Sequence, residues 1–135
     1  MGAQVRLMPY SYAIDRDQRV VYVRMSGPLT MAELQEIVDT LTANPEVQPG
    51  FGELIDLREA TTDAVSADDV RRIAAATLDA AGRRAFVTTD VLTYGLARMF
   101  EIYRALNRKP DQIAVFRRIR DAEAWLGVMP TPETG

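Results

Sequence analysis

Histidine and cysteine are both missing from this chain of 135 residues. Without cysteine there are no disulfides, no thiolate nucleophiles and no cysteine-bound zinc or iron–sulfur sites. Without histidine, the commonest general base and the commonest transition-metal ligand are also gone. No apolar run approaches the ~20 residues needed to cross a bilayer. The first nine residues, closed by Pro9, lack a continuous apolar core of signal-peptide length. A cytoplasmic protein that does not span a membrane is the simplest expectation. Lysine is scarce too, since Lys109 is the single one among sixteen basic residues. Codon usage accounts for that arginine bias more cheaply than phosphate binding does. With a net charge of −3 and a pI near 5.0, no general field favours nucleic acid or an anionic membrane.

What remains is an ordinary globular composition, 47% hydrophobic and 26% charged, in a chain long enough to bury one real core. A single domain is expected over residues 10–127, between a flexible segment at 1–9 and a flexible tail at 128–135. The organising stretch is Phe51-Gly-Glu-Leu-Ile-Asp-Leu-Arg58 and the polar turn after it, which feeds a helix beginning at Ser66. Before it, Ser11–Asp15 and Arg19–Ser26 read as an antiparallel hairpin, with Val21, Val23 and Met25 alternating on one face. Gly27-Pro28 is the expected stop of the second strand.

Thr30-Met-Ala-Glu33 and Ser66-Ala-Asp-Asp69 both have capping-box spacing, so each opens a helix. Leu34, Ile37, Val38 and Leu41 form the inner stripe of the first. Val70, Ile73, Ala74, Thr77, Leu78 and Ala81 form that of the second, with Gly82 as its stop. Asp90 caps the longest helix, whose inner face is expected to hold Leu92, Leu96, Met99, Phe100, Tyr103 and Leu106. Arg98, Glu101 and Arg104 are expected outside. A strand at Gln112–Phe116 and a short helix at Asp121–Leu126, docking Trp125 and Leu126, end the domain.

The order β-β-α-β-α-β-α-β-α predicts a mixed, mainly parallel five-stranded sheet with four helices, an α/β fold. Right-handed crossovers place the connecting helices on one face if the strands lie in sequence order. The other face then needs cover, from the amino-terminal segment or from a second subunit. A homodimer is therefore expected.

That order resembles a bacterial family of small SpoIIAA-like proteins, similar in fold to the STAS domain of anti-sigma-factor antagonists. The residues that carry the resemblance are Gly27, Leu54-Ile-Asp-Leu-Arg58, Tyr94-Gly-Leu-Ala-Arg-Met99, Val115-Phe116 and Ala124-Trp-Leu-Gly127. The resemblance implies a STAS-like domain and no particular activity. STAS antagonists carry a phosphorylatable serine in an Asp-Ser-Ser-Gly setting. Here Asp56 matches the aspartate, but Leu57-Arg58-Glu59 stands where Ser-Ser-Gly would be, and the nearest hydroxyls are Thr61, Thr62 and Ser66.

Ligands of open α/β sheets usually bind outside the carboxyl ends of the strands. The candidate cluster there is Asp56, Arg58, Thr61, Thr62, Ser66, Thr88, Thr89 and Asp90, joined by Tyr94 and Arg98 on the following helix. Each has a structural explanation as well. Asp56 suits a carboxylate paired with an arginine, Ser66 and Asp90 suit caps, and Arg98 suits an exposed pair with Glu101. Arg117-Arg-Ile-Arg120 lacks interleaved aromatics and reads as a solvated turn. No phosphate-binding glycine loop, paired-carboxylate motif, metal set or cofactor motif is present, so no catalytic residue is expected.

Three functions are compatible with these residues. First comes a non-enzymatic interaction or regulatory module that binds a protein partner or small ligand through the 56–66 and 88–98 turns. The alternative is a carrier of a small apolar, lipid-like molecule held between helices and sheet. An enzyme comes last, because only Asp56, Asp90 or Tyr94 could serve as its acid or base. A cavity of several hundred Å³ would favour the carrier. An exposed apolar patch over a closed core would favour the interaction module.

Overall fold

The computed structural model of the chain describes residues 10–77, 82–109 and 111–130. Strand β1 (Tyr10–Asp15) turns into β2 (Val20–Pro28) through a loop tied down by Asp15. The Gln18 backbone N–H and its side-chain amide donate to the two Asp15 oxygens, at 3.0 and 2.8 Å. Alternation along β2 works as expected, with Val21, Val23 and Met25 buried in the main core. The strand does not stop before Gly27. It pairs with β3 through Pro28, after a register shift between Arg24 and Ser26.

The remaining elements are α1 (Met31–Ala43), β3 (Gly52–Thr61), α2 (Ala67–Ala76), β4 (Arg83–Val87), α3 (Val91–Leu106), β5 (Gln112–Phe116) and α4 (Ile119–Leu126). The sheet order is β1-β2-β3-β4-β5, antiparallel between the first two strands and parallel thereafter. On one face α1, α2 and α3 close over Val23, Met25, Ile55 and Leu57, contributing Ile37, Val70, Ile73 and Phe100. The opposite face is covered over its later strands by α4. Ala122, Trp125 and Leu126 pack there on Leu54, Ala85, Val87 and Phe116, with the Trp125 and Phe116 rings 5.7 Å apart. The cover assigned to the amino-terminal segment or a second subunit thus comes, in that region, from the chain's own last helix.

Both capping boxes form. Thr30 accepts from the Glu33 N–H while the Thr30 N–H donates to the Glu33 carboxylate, both at 3.3 Å. Ser66 and Asp69 make the same exchange at 3.0 Å each way. Ser66→Ala should therefore lose ~1 kcal/mol, whereas Ser66→Asp should leave stability nearly unchanged, because aspartate caps equally well and suits the helix dipole. Urea midpoints check this; an equal drop in both variants would show that the hydroxyl does something other than cap. The second helix ends earlier than expected, with Thr77 as its C-cap, and positions 78 and 81 of its expected stripe lie outside the described residues. Gly82 has a different use from the helix stop expected of it. A Cβ there would sit 2.9 Å from the Gly50 carbonyl oxygen, so two backbones approach at this point.

Helix α3 is rotated from the expected phase. Its buried side chains are Thr93, Ala97, Phe100 and Arg104, while Leu92 and Leu106 are exposed. Leu96, Met99 and Tyr103 lie half-buried beside the core. The cause is Arg104, only 1% exposed although expected outside. Its guanidinium donates to the Asp111 carboxylate at 2.8 Å and to the Ala74 and Thr77 carbonyls, also at 2.8 Å. Asp111 and the end of α2 together hold that arginine inward, and the helix turns with it.

Candidate functional site

The residues expected to gather at the carboxyl ends of the strands separate into small, internally satisfied groups. Asp56 is 7% exposed on the sheet face opposite α1–α3. Arg58 donates to it through its backbone N–H at 3.1 Å and through Nε and Nη2 at 2.9 and 2.8 Å. Arg24, its neighbour across β2, lies 3.8 Å away. Burial alone would raise the Asp56 pKa. The Arg58 hydrogen bonds and the two arginine charges outweigh it and hold the carboxyl below its usual range. A carboxylate kept ionised in this way is a poor proton donor near neutral pH.

A second group joins the β3–α2 turn to the start of α3. Thr62 and Thr93 share a hydroxyl hydrogen bond of 2.8 Å, and the Thr93 hydroxyl donates to Asp90 at 2.9 Å. Asp90 also accepts from the Thr93 N–H at 2.9 Å, while its own N–H donates to the buried Thr88 hydroxyl at 3.2 Å. The Thr93 backbone and hydroxyl bonds, in that order, keep the Asp90 pKa low. Of the other candidates, Thr61, Ser66 and Thr89 are exposed, and Ser66 is occupied as a cap. The Arg117 guanidinium stacks 4.6 Å from the Tyr94 ring centre, and Arg98 pairs with Glu101 at 2.7 Å. The structure thus unites Thr62, Thr88 and Asp90, and separately Asp56 and Arg58, but not the whole set. Among the described residues, no buried side-chain nitrogen or oxygen lacks a partner, and no cluster of acidic residues is arranged to hold a metal ion.

Between the helices and the sheet lies a cavity of about 130 Å³. Its floor is Val23, Met25, Ile55, Leu57 and Phe86, and its roof is Leu34, Ile37, Val38, Ile73, Leu96 and Phe100 from the three helices. Polar groups appear only at its margins. Thr62 and Thr93 lie near the carboxyl ends of the strands, and Glu53, Arg84 and Thr77 lie towards the other end.

Glu53 and Arg84 belong to a buried ionic network that the sequence reading missed. The Arg84 Nε donates to Glu53 at 3.0 Å, and its Nη1 reaches Asp111, which also binds Arg104. Among the described residues, the Glu53 and Asp111 carboxylates offset the Arg84 and Arg104 guanidiniums at this end of the cavity. The available signal was a charge within each apolar strand, Glu53 between Phe51 and Leu57 and Arg84 before Ala85-Phe-Val87.

No family model and no curated protein sequence matches this chain. A solved structure does. It is an uncharacterized protein of the DUF3478 family with a SpoIIAA-like fold, from Shewanella loihica PV-4. The match has 22% identity and a TM-score of 0.59, over 93% of this chain and 99% of that one. This chain has a SpoIIAA-like fold. The likeness is one of fold, which this chain realises, among its described residues, as a mixed five-stranded sheet with four helices. Among the described residues, no helix of this SpoIIAA-like chain is long and apolar enough to cross a membrane.

Proposed function

We propose that this SpoIIAA-like protein is a non-enzymatic binding module whose ligand is a small apolar molecule seated between α1–α3 and the sheet. The apolar cavity carries this reading. An engineered apolar cavity of about 150 Å³ stays dry and takes benzene, whereas dedicated ligand pockets run to roughly 300–1,000 Å³. A volume of about 130 Å³ therefore suits a small ring or a short alkyl group better than a long lipid chain. Selectivity would come from shape, because the Thr62, Thr93 and Glu53–Arg84 polar groups already have partners. The apolar lining favours a neutral occupant over a free carboxylate, whose charge would be buried without a free partner among the described polar groups.

Titration with benzene, hexane and hexanoate, followed through side-chain methyl NMR signals, tests the reading. Saturable shifts at the methyls of Ile55, Ile73 and Leu96 are expected for the two neutral probes, and weaker ones for hexanoate. Saturating ligand at ~100 times its Kd should add about 2.7 kcal/mol of stability. Ala97→Leu fills space beside the cavity and should abolish the shifts while the helix content is kept. The absence of saturable shifts in the unsubstituted protein would refute the proposal.

A further inference from the structure

The Thr62 and Thr93 hydroxyls have partners, but one partner does not saturate a hydroxyl. Each carries a single hydrogen and two acceptor lone pairs. Asp90 fixes the direction of the bonds between them. It is exposed, and its carboxyl is held below the usual pKa range, so near neutral pH it is ionised and can only accept. Thr93 therefore spends its one hydrogen on Asp90, at 2.9 Å. The 2.8 Å contact between the two threonines then uses the hydrogen of Thr62. No described residue donates in turn to Thr62 Oγ1. Thr62 is 6% exposed and Thr93 1%, and both side chains line the cavity. A hydrogen bond made to them from inside acts in a low-dielectric surrounding. Thr77 has the same polarity, donating to the Ile73 carbonyl at 2.6 Å, but it is only half-buried and open to competition from water.

We infer that the ligand of the cavity carries one neutral hydroxyl, as in a phenol or a short alcohol, and that this hydroxyl donates to Thr62 Oγ1. The inference rests on the cavity being the chamber of a small apolar molecule. Donation to Thr62 extends the chain to three hydrogen bonds that run the same way into the Asp90 carboxylate. Bonds arranged in such a chain polarise and strengthen one another. The charge itself stays at the surface, so no ion has to be buried. Val65, Leu96 and Ala97, lining residues close in sequence to the two threonines, offer only hydrocarbon to the body of the ligand. An ether, a nitrile or a carboxylate has no hydrogen to give and would set its lone pairs against those of Thr62. A protonated amine could donate, but it would bring a charge into an apolar lining. Shape thus selects the body of the ligand, and hydrogen-bond direction selects its one polar group.

Methyl NMR titrations with phenol, benzene and benzonitrile test this on the full chain and on Thr62→Val and Thr62→Ser. Phenol and benzonitrile are close in size, and only phenol can donate. In the unsubstituted protein phenol is expected to bind about tenfold more tightly than benzonitrile. Thr62→Val should cost phenol about tenfold more affinity than benzene, and Thr62→Ser should restore the difference. Should Thr62→Val fail to fold, the ratio of phenol to benzonitrile in the unsubstituted protein decides alone. Benzene binding accompanied by phenol no tighter than benzonitrile would overturn the hydroxyl assignment and leave the apolar chamber standing. Equal losses for phenol and benzene in Thr62→Val would do the same. No saturable shift with any of the three probes would overturn the chamber and the assignment together.

Discussion

Asp111→Ala should be among the most destabilising single substitutions in this protein, losing about 3–5 kcal/mol, the range found when one partner of a buried ion pair is removed. The Asp111 side chain is fully buried and its carboxylate bonds both Arg104 and Arg84, while Arg84 has Glu53 as well. Its removal takes a buried carboxylate from two guanidiniums at once, both in a low-dielectric interior. Against a total stability of roughly 5–15 kcal/mol, that loss leaves little margin. Guanidinium chloride or thermal unfolding measures it. Adding Arg104→Leu should recover part of the loss, because the remaining Glu53–Arg84 pair is again balanced. Recovery will be incomplete, since the α2 carbonyls lose their donor. Simple addition of the two single effects would show that these residues do not act as a network.

That network also marks the limit of what periodicity can reveal. Thr30-x-x-Glu33 and Ser66-x-x-Asp69 were legible because capping boxes involve residues three apart, and both formed as read. The mixed, mainly parallel five-stranded sheet was legible from the order of the elements, whereas the strand order β1-β2-β3-β4-β5 entered the reading only as a condition that the structure meets. The phase of α3 was not. Val91, Leu92, Leu96, Met99, Ile102, Tyr103 and Leu106 make that helix apolar around much of its circumference, so the hydrophobic pattern has no sharp direction. The direction is decided by Arg104 finding Asp111 and the end of α2, a choice made in three dimensions.

The candidate site was legible as local structure more than as a site. Asp56 with Arg58, Ser66 as a cap and Arg98 with Glu101 all adopt the structural roles their spacing allowed. Thr62 proved more informative than its neighbours, because its link to Thr93 closes one end of the cavity. The cavity itself could not be read from sequence. It depends on how far three helices stand from the sheet, and the same apolar residues could equally have closed over it. The role of α4 was half legible. Trp125 and Leu126 were recognised as docking residues, but the face they cover follows only from where the chain leaves β5.

Phe100→Ala should cost about 3–5 kcal/mol, the usual range for truncating a buried phenylalanine, and should open the cavity further. Phe100 is 7% exposed and meets Phe86 edge-on, with ring centres 5.4 Å apart at 74°. The Arg84 guanidinium lies over the Phe100 ring, 5.9 Å from its centre, so the ring borders both the apolar chamber and the ionic network. Truncation therefore has two effects that can be measured apart. Stability falls through lost burial and lost ring contacts, seen in the urea midpoint without added ligand. Capacity for an aromatic guest rises, because the vacated volume adjoins space that is already open. Benzene should thus raise the midpoint of Phe100→Ala more than that of the unsubstituted protein. If the substitution is destabilising but benzene rescues neither form, the core packing described here stands and the ligand site does not. If benzene rescues the variant alone, the natural cavity is too small to serve, and the helix–sheet interior is a core with a defect instead of a binding chamber.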